Sequence, residues 1–352
     1  MSVFQAVDFA DHEQVVFAAD PACGLRAIIA VHSTALGPAI GGCRIRPYAD
    51  GAEALTDVLR LSRGMSLKAA VAGVPFGGGK MVVIADPRRD KTPALLKAIG
   101  GAIDRLGGRY ITGEDVGTVC DDMAAIRTAT EHVMGLPEHL GGSGDPSPRT
   151  ALGCLAGIEA GVRHRLDRRH LRGVRVAVQG LGNVGWSLCR LLADAGAELT
   201  VSDVRDDRVE KAVRDFQAIV APPEAIHTAD VDVFAPCALG AVVNDATLPG
   251  FKASVIAGAA NNQLADEARH GAMLRDRGIL YAPDYVINAG GMIQLAFERA
   301  GLDWVEVERR TRAIGDTLSR IFERARSTGM PTTAAALEIA ERRLVAARGQ
   351  AA

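Results

Sequence analysis

The feature that most constrains the fold is a glycine pattern that joins a strand-like segment to a helix-like one. Residues 174–179 (Val-Arg-Val-Ala-Val-Gln) have the composition of a buried strand, and residues 180–185 (Gly-Leu-Gly-Asn-Val-Gly) follow directly. Apolar residues at helical spacing come next, at Leu188, Leu191 and Leu192. Glycines at such a turn let a pyrophosphate approach the backbone, and the helix N-terminus then faces the phosphate charge. The pattern therefore predicts a Rossmann unit that binds a dinucleotide.

The next strand-like segment strengthens this prediction. Residues 199–203 (Leu-Thr-Val-Ser-Asp) end in Asp203, a carboxylate that can accept hydrogen bonds from the adenosine ribose hydroxyls and would repel a 2′-phosphate. NAD is therefore expected rather than NADP. Arg205 and Arg208 are close enough in sequence to bind a phosphate, and Asp203 is also compatible with a helix cap, so both alternatives stay open.

Strand-like and helix-like segments alternate along the 352 residues. Residues 25–31 and 82–85 are predicted strands, whereas residues 52–65 are a predicted helix; Thr92 and Pro93 resemble the start of another. Alternation of this kind predicts an α/β fold with helices packed on sheets. At roughly 100–200 residues per domain, the length favours two domains.

The predicted domain boundary is a segment without apolar side chains. Residues 141–148 (Gly-Gly-Ser-Gly-Asp-Pro-Ser-Pro) should form neither helix nor strand. We therefore predict a first domain over residues 1–148 and a second over 149–330. A last helix, over residues 334–347, is expected to pack back on the first domain, so that residues 331–352 belong to it.

Composition and charge exclude several classes of partner. Lys+Arg total 40 and Asp+Glu total 42, without a block of like charge, which argues against nucleic acid. No segment approaches the roughly 18 apolar residues of a membrane helix, and the first residues lack a secretory signal pattern. The six cysteines and eight histidines show no metal-ligand spacing, so we expect buried thiols, no metal and a cytoplasmic location.

Two lysines and one aspartate are the candidate reactive groups. Lys80 follows three glycines in a predicted loop, and Lys68 stands among small apolar residues. Burial and a neighbouring ammonium lower a lysine pKa toward the roughly 7–8 that suits a general base. Asp115 follows a predicted strand end, where sites of α/β proteins gather. The alternatives are surface lysines with their stems on apolar neighbours, and a solvated turn carboxylate.

With these residues in this order, the chain resembles the Glu/Leu/Phe/Val amino-acid dehydrogenase family, and most of all its leucine, valine and phenylalanine branch. Residues 74–87 (Val-Pro-Phe-Gly-Gly-Gly-Lys-Met-Val-Val-Ile-Ala-Asp-Pro) are similar to the active-site signature of that family. Other similar stretches are residues 36–42, 110–117, 180–185, 234–240, 256–263 and 281–291.

The resemblance implies reversible oxidative deamination of an L-amino acid to a 2-oxo acid and ammonia, with reduction of NAD. It also implies a substrate domain and a Rossmann domain with a cleft between them that closes, in a homo-oligomer. Lys68 is expected to bind the substrate carboxylate, Lys80 to act as the general base, and Asp115 to exchange protons with the amino group.

Further contacts follow from the same resemblance, with Asn262 expected to hold the substrate amine and Asn261 the nicotinamide. The expected substrate-binding residues are Ile40, Gly41, Gly42, Lys68, Gly113, Asn262, Met292 and Leu295. The expected cofactor-binding residues are Gly180, Leu181, Gly182, Asn183, Val184, Gly185, Asp203, Ala235, Pro236, Cys237, Ala238, Asn261 and Asn288.

The substrate side chain is expected to be apolar. Ile40 stands where glutamate-specific members have a lysine, and burying an unpaired carboxylate against it would be costly. Residues 36–40 and 235–263 are similar to leucine-acting members, whereas Gly113 and Leu295 are similar to aromatic-acting members. We therefore expect leucine and other branched-chain substrates, with phenylalanine as the alternative.

Two other functional classes predict different residues. A non-catalytic NAD(H)-binding regulator would be expected to have lost Lys80, Lys68 or Asp115, and all three are present. A hydroxy-acid dehydrogenase would need a histidine–carboxylate pair, whereas His227 and His270 are predicted to be surface residues.

Overall fold

A computed structural model describes residues 3–238, 240–298, 301 and 303–351 of the chain. They divide into two compact units. The N-terminal unit comprises Met1–Gly144, Leu295–Leu302 and Ala340–Ala352, and the second unit comprises Asp145–Gln294 and Asp303–Ile339. Among the described residues, no helix is long and apolar enough to cross a membrane.

The N-terminal unit is built on a five-stranded sheet. Its strands are β1 (Gln14–Asp20), β2 (Leu25–Ser33), β3 (Ala39–Arg46), β4 (Gly77–Ile84) and β5 (Tyr110–Glu114), in the order β1-β2-β4-β3-β5. β4 is parallel to β3 and antiparallel to β2, and β3 and β5 are parallel. Its helices are α1 (Gly51–Ala72), α2 (Pro93–Asp104) and α3 (Cys120–Arg127).

Local sequence explains the ends of two of these helices. Asp50 caps α1 by accepting a hydrogen bond from the Glu53 amide, and Gly73 ends it in the left-handed region at φ 68°. The predicted start of α2 is confirmed: Thr92 accepts a hydrogen bond from the Leu95 amide, and Pro93 occupies the first turn.

The prediction of a glycine–lysine loop is wrong, because residues 77–80 lie inside strand β4. The fold requires glycine at these three positions, because a side chain there would clash with neighbouring residues. A Cβ at Gly77 would strike the Ser33 carbonyl, one at Gly78 would strike the backbone of Ser66, and one at Gly79 would lie 2.7 Å from the Tyr110 ring. Strand β4 therefore starts earlier than predicted, and its first three residues let α1 and the neighbouring strands approach closely.

Two histidines that are distant in sequence meet between β2 and α1. The His12 and His32 rings lie 4.9 Å apart in an edge-on arrangement. His12 shares a hydrogen bond with Ser62 (3.0 Å), and His32 shares one with Ser66 (2.8 Å). Burial lowers the pKa of both rings, and that of His32 falls to about 4.

The second unit contains a six-stranded parallel sheet. Its strands are β6 (Arg175–Gln179), β7 (Glu198–Ser202), β8 (Ile219–Val220), β9 (Val233–Pro236), β10 (Val255–Ile256) and β11 (Leu280–Tyr281). Seven α-helices lie wholly within this unit, namely α4 (Ser147–Leu166), α5 (Asn183–Asp194), α6 (Asp206–Phe216), α7 (Glu267–Asp276), α8 (Asp284–Ile287), α10 (Trp304–Arg312) and α11 (Ile314–Thr328). Helices α9 (Gly290–Glu298) and α12 (Thr332–Ala351) each contribute residues to both units.

The strand order of the second unit is β11-β10-β9-β6-β7-β8. Counted from β6 as the first strand, this is the 3-2-1-4-5-6 order of a doubly wound dinucleotide-binding sheet. The order reverses between β6 and β9, and ligands of such sheets bind beyond the carboxyl ends of the strands at that point. The predicted α/β fold with a Rossmann unit is confirmed.

Two local predictions need correction. Helix α4 starts at Ser147, inside the segment predicted to lack helix, because Pro148 falls in its first turn, where proline is tolerated. His270 was predicted at the surface, yet it is fully buried on α7, where its Nδ1 accepts a hydrogen bond from the Asp266 amide (2.9 Å). A histidine with such local partners can be buried at little cost.

The last helix contributes directly to the N-terminal unit. Arg343 on α12 donates hydrogen bonds to the carbonyls of Ala70 (2.6 Å) and Val71 (3.0 Å) at the end of α1. These carbonyls are in the last turn of a helix, where a cation is favourable. The contact fixes the C-terminal end of the helix that carries Lys68.

The buried histidine pair predicts a pH-dependent stability. Because the pKa of His32 is about 4 in the folded protein and about 6.5 when unfolded, the unfolded chain binds more protons between these values. The free energy of unfolding should therefore fall by about 1–2 kcal/mol from about pH 7.5 to about pH 5.5, as measured by urea denaturation. His32→Asn keeps a partner for Ser66 without the titration and should flatten this dependence; an unchanged slope would contradict the assignment.

Candidate active site

Lys80 is a buried ammonium in the middle of the N-terminal sheet. It lies on β4, opposite Ala30 of β2, and is 5% exposed. Burial lowers the pKa of Lys80 because the charged form loses its water, and the nearby Asp115 carboxylate offsets only part of this effect. A lysine in this environment can become neutral at a pH where surface lysines stay charged.

Asp115 is the counterion of Lys80. Its Oδ2 lies 2.8 Å from Lys80 Nζ. Burial by itself would raise the pKa of Asp115, but the Lys80 ammonium and the Arg44 guanidinium outweigh it and bring this pKa to about 2. The structure thus joins two of the three predicted catalytic residues in one ion pair.

The turn after β5 holds Asp115 in place. The Thr118 hydroxyl accepts a hydrogen bond from the Asp115 amide (2.9 Å) and donates one to the Cys43 carbonyl (3.0 Å). Across from it, Gly42 leaves the necessary space, since a Cβ there would lie 2.7 Å from the Asp115 Cβ. Gly41 has a similar role, because its Cβ would overlap the Gly79 carbonyl.

Arg44 is a residue of this site that the sequence reasoning missed. Its Nε donates a hydrogen bond to Asp115 Oδ2 (2.8 Å), and its Nη1 donates to Asp57 Oδ2 (3.1 Å). The Arg44 charge also lowers the pKa of Lys80. The available signal was its place on β3 two residues beyond Gly42, on the same face of the strand.

Lys68 lies in the last turns of α1, a helix that packs across β4. It is half-buried, which agrees with its small apolar neighbours in the sequence. The binding of a substrate carboxylate by Lys68 stays a prediction.

The residues predicted to line the substrate side-chain pocket fall into two groups. Ile40 (2% exposed) pairs with Ile111 on the face of the sheet that carries Gly42 and Gly113. A Cβ added at Gly113 would meet only the Met134 carbonyl within 4 Å, at 3.6 Å. A methyl group would therefore fit at position 113 without a steric clash. Met292 is buried in the second unit.

Glu298, at the end of α9, holds the segment next to this space. Its carboxylate accepts hydrogen bonds from the Gly135 amide (3.0 Å) and from the Ser143 amide and hydroxyl (3.1 and 2.7 Å). Leu295 of the same helix lies 3.8 Å from where a Gly135 Cβ would be. Residues 135–143 thus run beside Gly113 and Leu295, and sequence patterns gave no indication of Glu298.

In the second unit, the glycine pattern forms the turn between β6 and α5. Gly180 has φ +95°, and a Cβ there would lie 2.8 Å from that of Ala238. Gly185 lets α5 pack on the turn, since its Cβ would strike the Gly180 carbonyl. By contrast, nothing lies within 4 Å of a Cβ at Gly182, which is the N-cap of α5. The backbone at this helix N-terminus is open to a ligand, and Leu181, Asn183 and Val184 share the turn.

Asp203 follows β7 and is tied to the glycine turn. Its carboxylate accepts hydrogen bonds from the amides of Leu181 (2.6 Å) and Arg205 (3.0 Å), and Arg208 lies 3.7 Å away. The Arg205 guanidinium is paired with Asp207 (2.7 Å). Both arginines that could bind a phosphate therefore have carboxylate partners.

Two buried polar atoms at the same strand ends lack a hydrogen-bond partner in the described part of the chain. They are the Ser202 hydroxyl at the end of β7 and the Gln179 side-chain oxygen at the end of β6. Unpaired buried polar atoms at a switch point fit a site that a polar ligand completes.

The residues predicted to contact the nicotinamide side surround the end of β9. The Cys237 amide donates to the Gln179 carbonyl (2.7 Å), which places Ala235, Pro236, Cys237 and Ala238 beside the glycine turn. Asn288 donates a hydrogen bond to Asn261 Oδ1 (2.6 Å), and Asn262 has a left-handed φ of 51°. Gln263 fixes this loop by donating to the Gly258 and Ala260 carbonyls (2.7 and 2.9 Å).

Chemically, the N-terminal unit offers a base of lowered pKa and an ionised carboxylate, and the second unit offers a dinucleotide cradle. Among the described residues, no group of three or more His, Cys, Asp or Glu side chains could hold a metal ion. The six cysteines are free thiols. The Lys80–Asp115 pair of the N-terminal unit is suited to proton transfer.

Comparisons with known families agree with this geometry. The profile of the Glu/Leu/Phe/Val dehydrogenase dimerisation domain matches residues 12–132. The profile of the glutamate/leucine/phenylalanine/valine dehydrogenases matches residues 141–206 and 204–350.

Individual relatives cover nearly the whole chain. Leucine dehydrogenase of Bacillus cereus is 46% identical over 344 residues, which cover 98% of this chain and 94% of the relative. Phenylalanine dehydrogenase of Bacillus thermotolerans is 46% identical, with 97% and 90% covered. The crystal structure of L-tryptophan dehydrogenase from Nostoc punctiforme superposes with a TM-score of 0.88 at 46% identity, covering 99% of this chain and 100% of that one.

The ion pair predicts a measurable energetic coupling. Lys80→Met and Asp115→Asn should each destabilise the protein, while the double variant should lose less than the sum, with a coupling of about 1–3 kcal/mol in urea denaturation. The matched control is Arg60–Asp8, which has the same 2.8 Å separation at a more exposed position. Exposed pairs couple by about 0.5 kcal/mol, so equal coupling in both cycles would contradict the role of burial.

Proposed function

Since this chain belongs to the Glu/Leu/Phe/Val dehydrogenase family, it is an oxidoreductase acting on an amino acid, and we propose that it oxidises an apolar L-amino acid with NAD. The products are the 2-oxo acid, ammonia and NADH. Leucine and other branched-chain amino acids are the preferred substrates in this proposal. The observation that carries it is the buried Lys80–Asp115 pair, a base and a proton carrier in contact.

Lys80 is the general base of the proposed reaction. Oxidation of the amine gives an imine, and water must then attack the imine carbon. Neutral Lys80 takes one proton from this water, which makes the oxygen nucleophilic. The lowered pKa of Lys80 makes the neutral form available at a lower pH than for a surface lysine, and the surrounding β-sheet limits the access of other water.

Asp115 carries protons to and from the nitrogen. It is ionised in the resting protein, where its pKa is about 2 beside the charged Lys80 and Arg44. Its carboxylate can accept a proton from the substrate ammonium before oxidation and return it to the nitrogen when ammonia leaves. Lys68 is proposed to bind the substrate carboxylate and Asn262 the amine.

When bound, NAD would supply the oxidant, as acceptor of the hydride from the substrate Cα. The glycine turn at residues 180–185 is proposed to hold its pyrophosphate, and Asp203 its adenosine ribose. The preference for NAD over NADP is supported by the Asp203 carboxylate and by the pairing of Arg205 and Arg208 with carboxylates, which leaves no net positive pocket for a 2′-phosphate.

The substrate class follows from the hydrocarbon lining. Ile40 offers no partner for a second carboxylate, which disfavours glutamate. A second candidate is an aromatic substrate, favoured by the space at Gly113. The phenylalanine- and tryptophan-acting relatives are consistent with this alternative.

The N-terminal unit is proposed to be the substrate and oligomerisation domain, and the second unit the cofactor domain. A homo-oligomer is supported by the match to a dimerisation domain. A cytoplasmic location is supported by the six free thiols, since disulfides form mainly in oxidising compartments.

The first test is the absorbance of NADH formed from leucine, valine, phenylalanine, tryptophan and glutamate, with NAD and NADP in parallel at alkaline pH. We expect turnover with apolar substrates and NAD. Lys80→Ala should lower kcat by about 10²–10⁴-fold because the general base is lost. The exposed Lys97→Ala is the matched control and should be as active as the wild type. Binding of NADH without turnover of any amino acid would favour the regulator instead.

Gly113→Ala tests the basis of specificity. The new methyl group fits the protein without strain but occupies the space beside Met134. It should lower kcat/KM for phenylalanine relative to leucine by about 10–200-fold, the usual effect of a methyl-sized change in a pocket. Gly101→Ala on α2, where a Cβ also has room, is the control and should leave this ratio unchanged. An unchanged ratio in Gly113→Ala would remove this residue from the pocket.

A further inference from the structure

We propose that Arg44, anchored by Asp57, is a positioning residue that fixes the Asp115 carboxylate so that Oδ1 is the oxygen that exchanges protons with the substrate nitrogen. The inference deepens the proposed function and rests on it. Arg44 on β3 and Asp57 on α1 then act through Asp115 and not directly on the substrate.

The two oxygens of the Asp115 carboxylate have different surroundings. Arg44 Nε donates a hydrogen bond to Oδ2 at 2.8 Å, and Lys80 Nζ lies 2.8 Å from the same oxygen. Within the residues that the structure describes, Oδ1 receives no hydrogen bond. Because both cations bind Oδ2, only Oδ1 is free to exchange a proton with the substrate.

Arg44 is itself held in place by Asp57, on the side away from Asp115. Its Nη1 donates to both oxygens of Asp57, at 3.4 and 3.1 Å. The buried Tyr48 hydroxyl donates to Asp57 Oδ2 at 2.7 Å. The planar guanidinium therefore connects two carboxylates, and Asp57 in turn belongs to α1, the helix that carries Lys68. Arginine suits this place better than lysine, because its fork of donors has a fixed geometry.

Arg44 also keeps Asp115 paired during the proposed reaction. Lys80 must be neutral to act as a base, and Asp115 then loses one of its two cationic partners. Arg44 remains charged at any working pH, so it keeps Oδ2 bound while Lys80 changes its protonation state. Without Arg44, the carboxylate could rotate or take up a proton at that moment.

Charges around the pair define what a substitution does. The Arg44 guanidinium and the Cys43 thiol, both on β3, act on Lys80, and Arg44 also acts on Asp115. Asp115 in turn acts on the Tyr110 hydroxyl on β5, and Asp57 on α1 is bound to Arg44. The pKa of Cys43 is raised to about 12 by burial, so this thiol is neutral. Removing the Arg44 charge favours proton binding at both Lys80 and Asp115.

The experiment compares Arg44→Gln, Arg44→Lys and Asp57→Asn with the wild type in the pH profile of kcat/KM for deamination. Arg46→Gln is the matched control: Arg46 lies on the same strand, 3.9 Å from Asp57, and pairs with Glu53 rather than Asp115. Thermal unfolding and circular dichroism verify that each variant is folded.

In Arg44→Gln, the acidic limb of the profile should move up by about one pH unit, because a cation near two titrating groups is lost. The value of kcat should fall by about 10–100-fold, with a much smaller change in KM, since misplacement affects the transition state more than binding. Arg44→Lys retains the positive charge but loses the forked geometry of the guanidinium. The acidic limb of its pH profile should therefore stay near that of the wild type, whereas its kcat should remain low.

Asp57→Asn keeps Arg44 and provides a second test of its positioning role if Arg44→Gln does not fold. Loss of an anion should move its acidic limb slightly down, opposite to Arg44→Gln, and kcat should fall because Arg44 is no longer held. A wild-type profile and kcat in Arg44→Gln, or the same shift in Arg46→Gln, would overturn the proposal.

A readout that needs no turnover separates this inference from the proposed function. In protein labelled with 13C at the aspartate carboxyl, the Asp115 resonance, assigned with Asp115→Asn, reports the loss of the Lys80 proton at alkaline pH. The step should occur at higher pH in Arg44→Gln than in the wild type. If the wild type oxidises no amino acid, the proposed function fails; if this step does not move, the positioning inference fails.

Discussion

A buried ammonium on a central strand is the constraint on which the N-terminal unit depends. Lys80 is almost inaccessible to water, so its charged form needs the Asp115 carboxylate within contact distance. That contact requires β3, β4 and β5 to pack more closely than side chains usually permit. The glycines at 41, 42 and 77–79 supply this closeness, because a Cβ at each of them would overlap a neighbouring strand, turn or helix.

The charge balance of the site extends further than the pair itself. Asp115 is shared by Lys80 and Arg44, Arg44 is shared by Asp115 and Asp57, and Tyr48 completes the partners of Asp57. Cation and anion alternate along this line, so each charge is compensated although the line is mostly buried. A base of low pKa and a carboxylate that remains ionised can then exist side by side, which is what proton transfer to an amine and from water requires.

The second unit shows how backbone geometry prepares a cofactor site. The glycine turn, the free N-terminus of α5 and the Asp203 carboxylate meet where the strand order reverses. The Asn261–Asn288 hydrogen bond and the Gln263 side chain give the neighbouring loop one conformation. The glycine turn, the N-terminus of α5 and Asp203 follow from local patterns in the sequence, whereas the Asn261–Asn288 hydrogen bond and the Gln263 contacts depend on how the loop folds.

Sequence alone determined the α/β class, the Rossmann unit and the family, and it singled out Lys80 and Asp115, because each of these depends on short local stretches of residues. It did not determine that residues 77–80 form a strand, since glycine triplets suggest a loop unless partners on both sides are known. It also could not reveal Arg44 with Asp57, Glu298 with Ser143, or His12 with His32. These contacts join segments from 13 to 155 residues apart, and only the tertiary structure decides such distances.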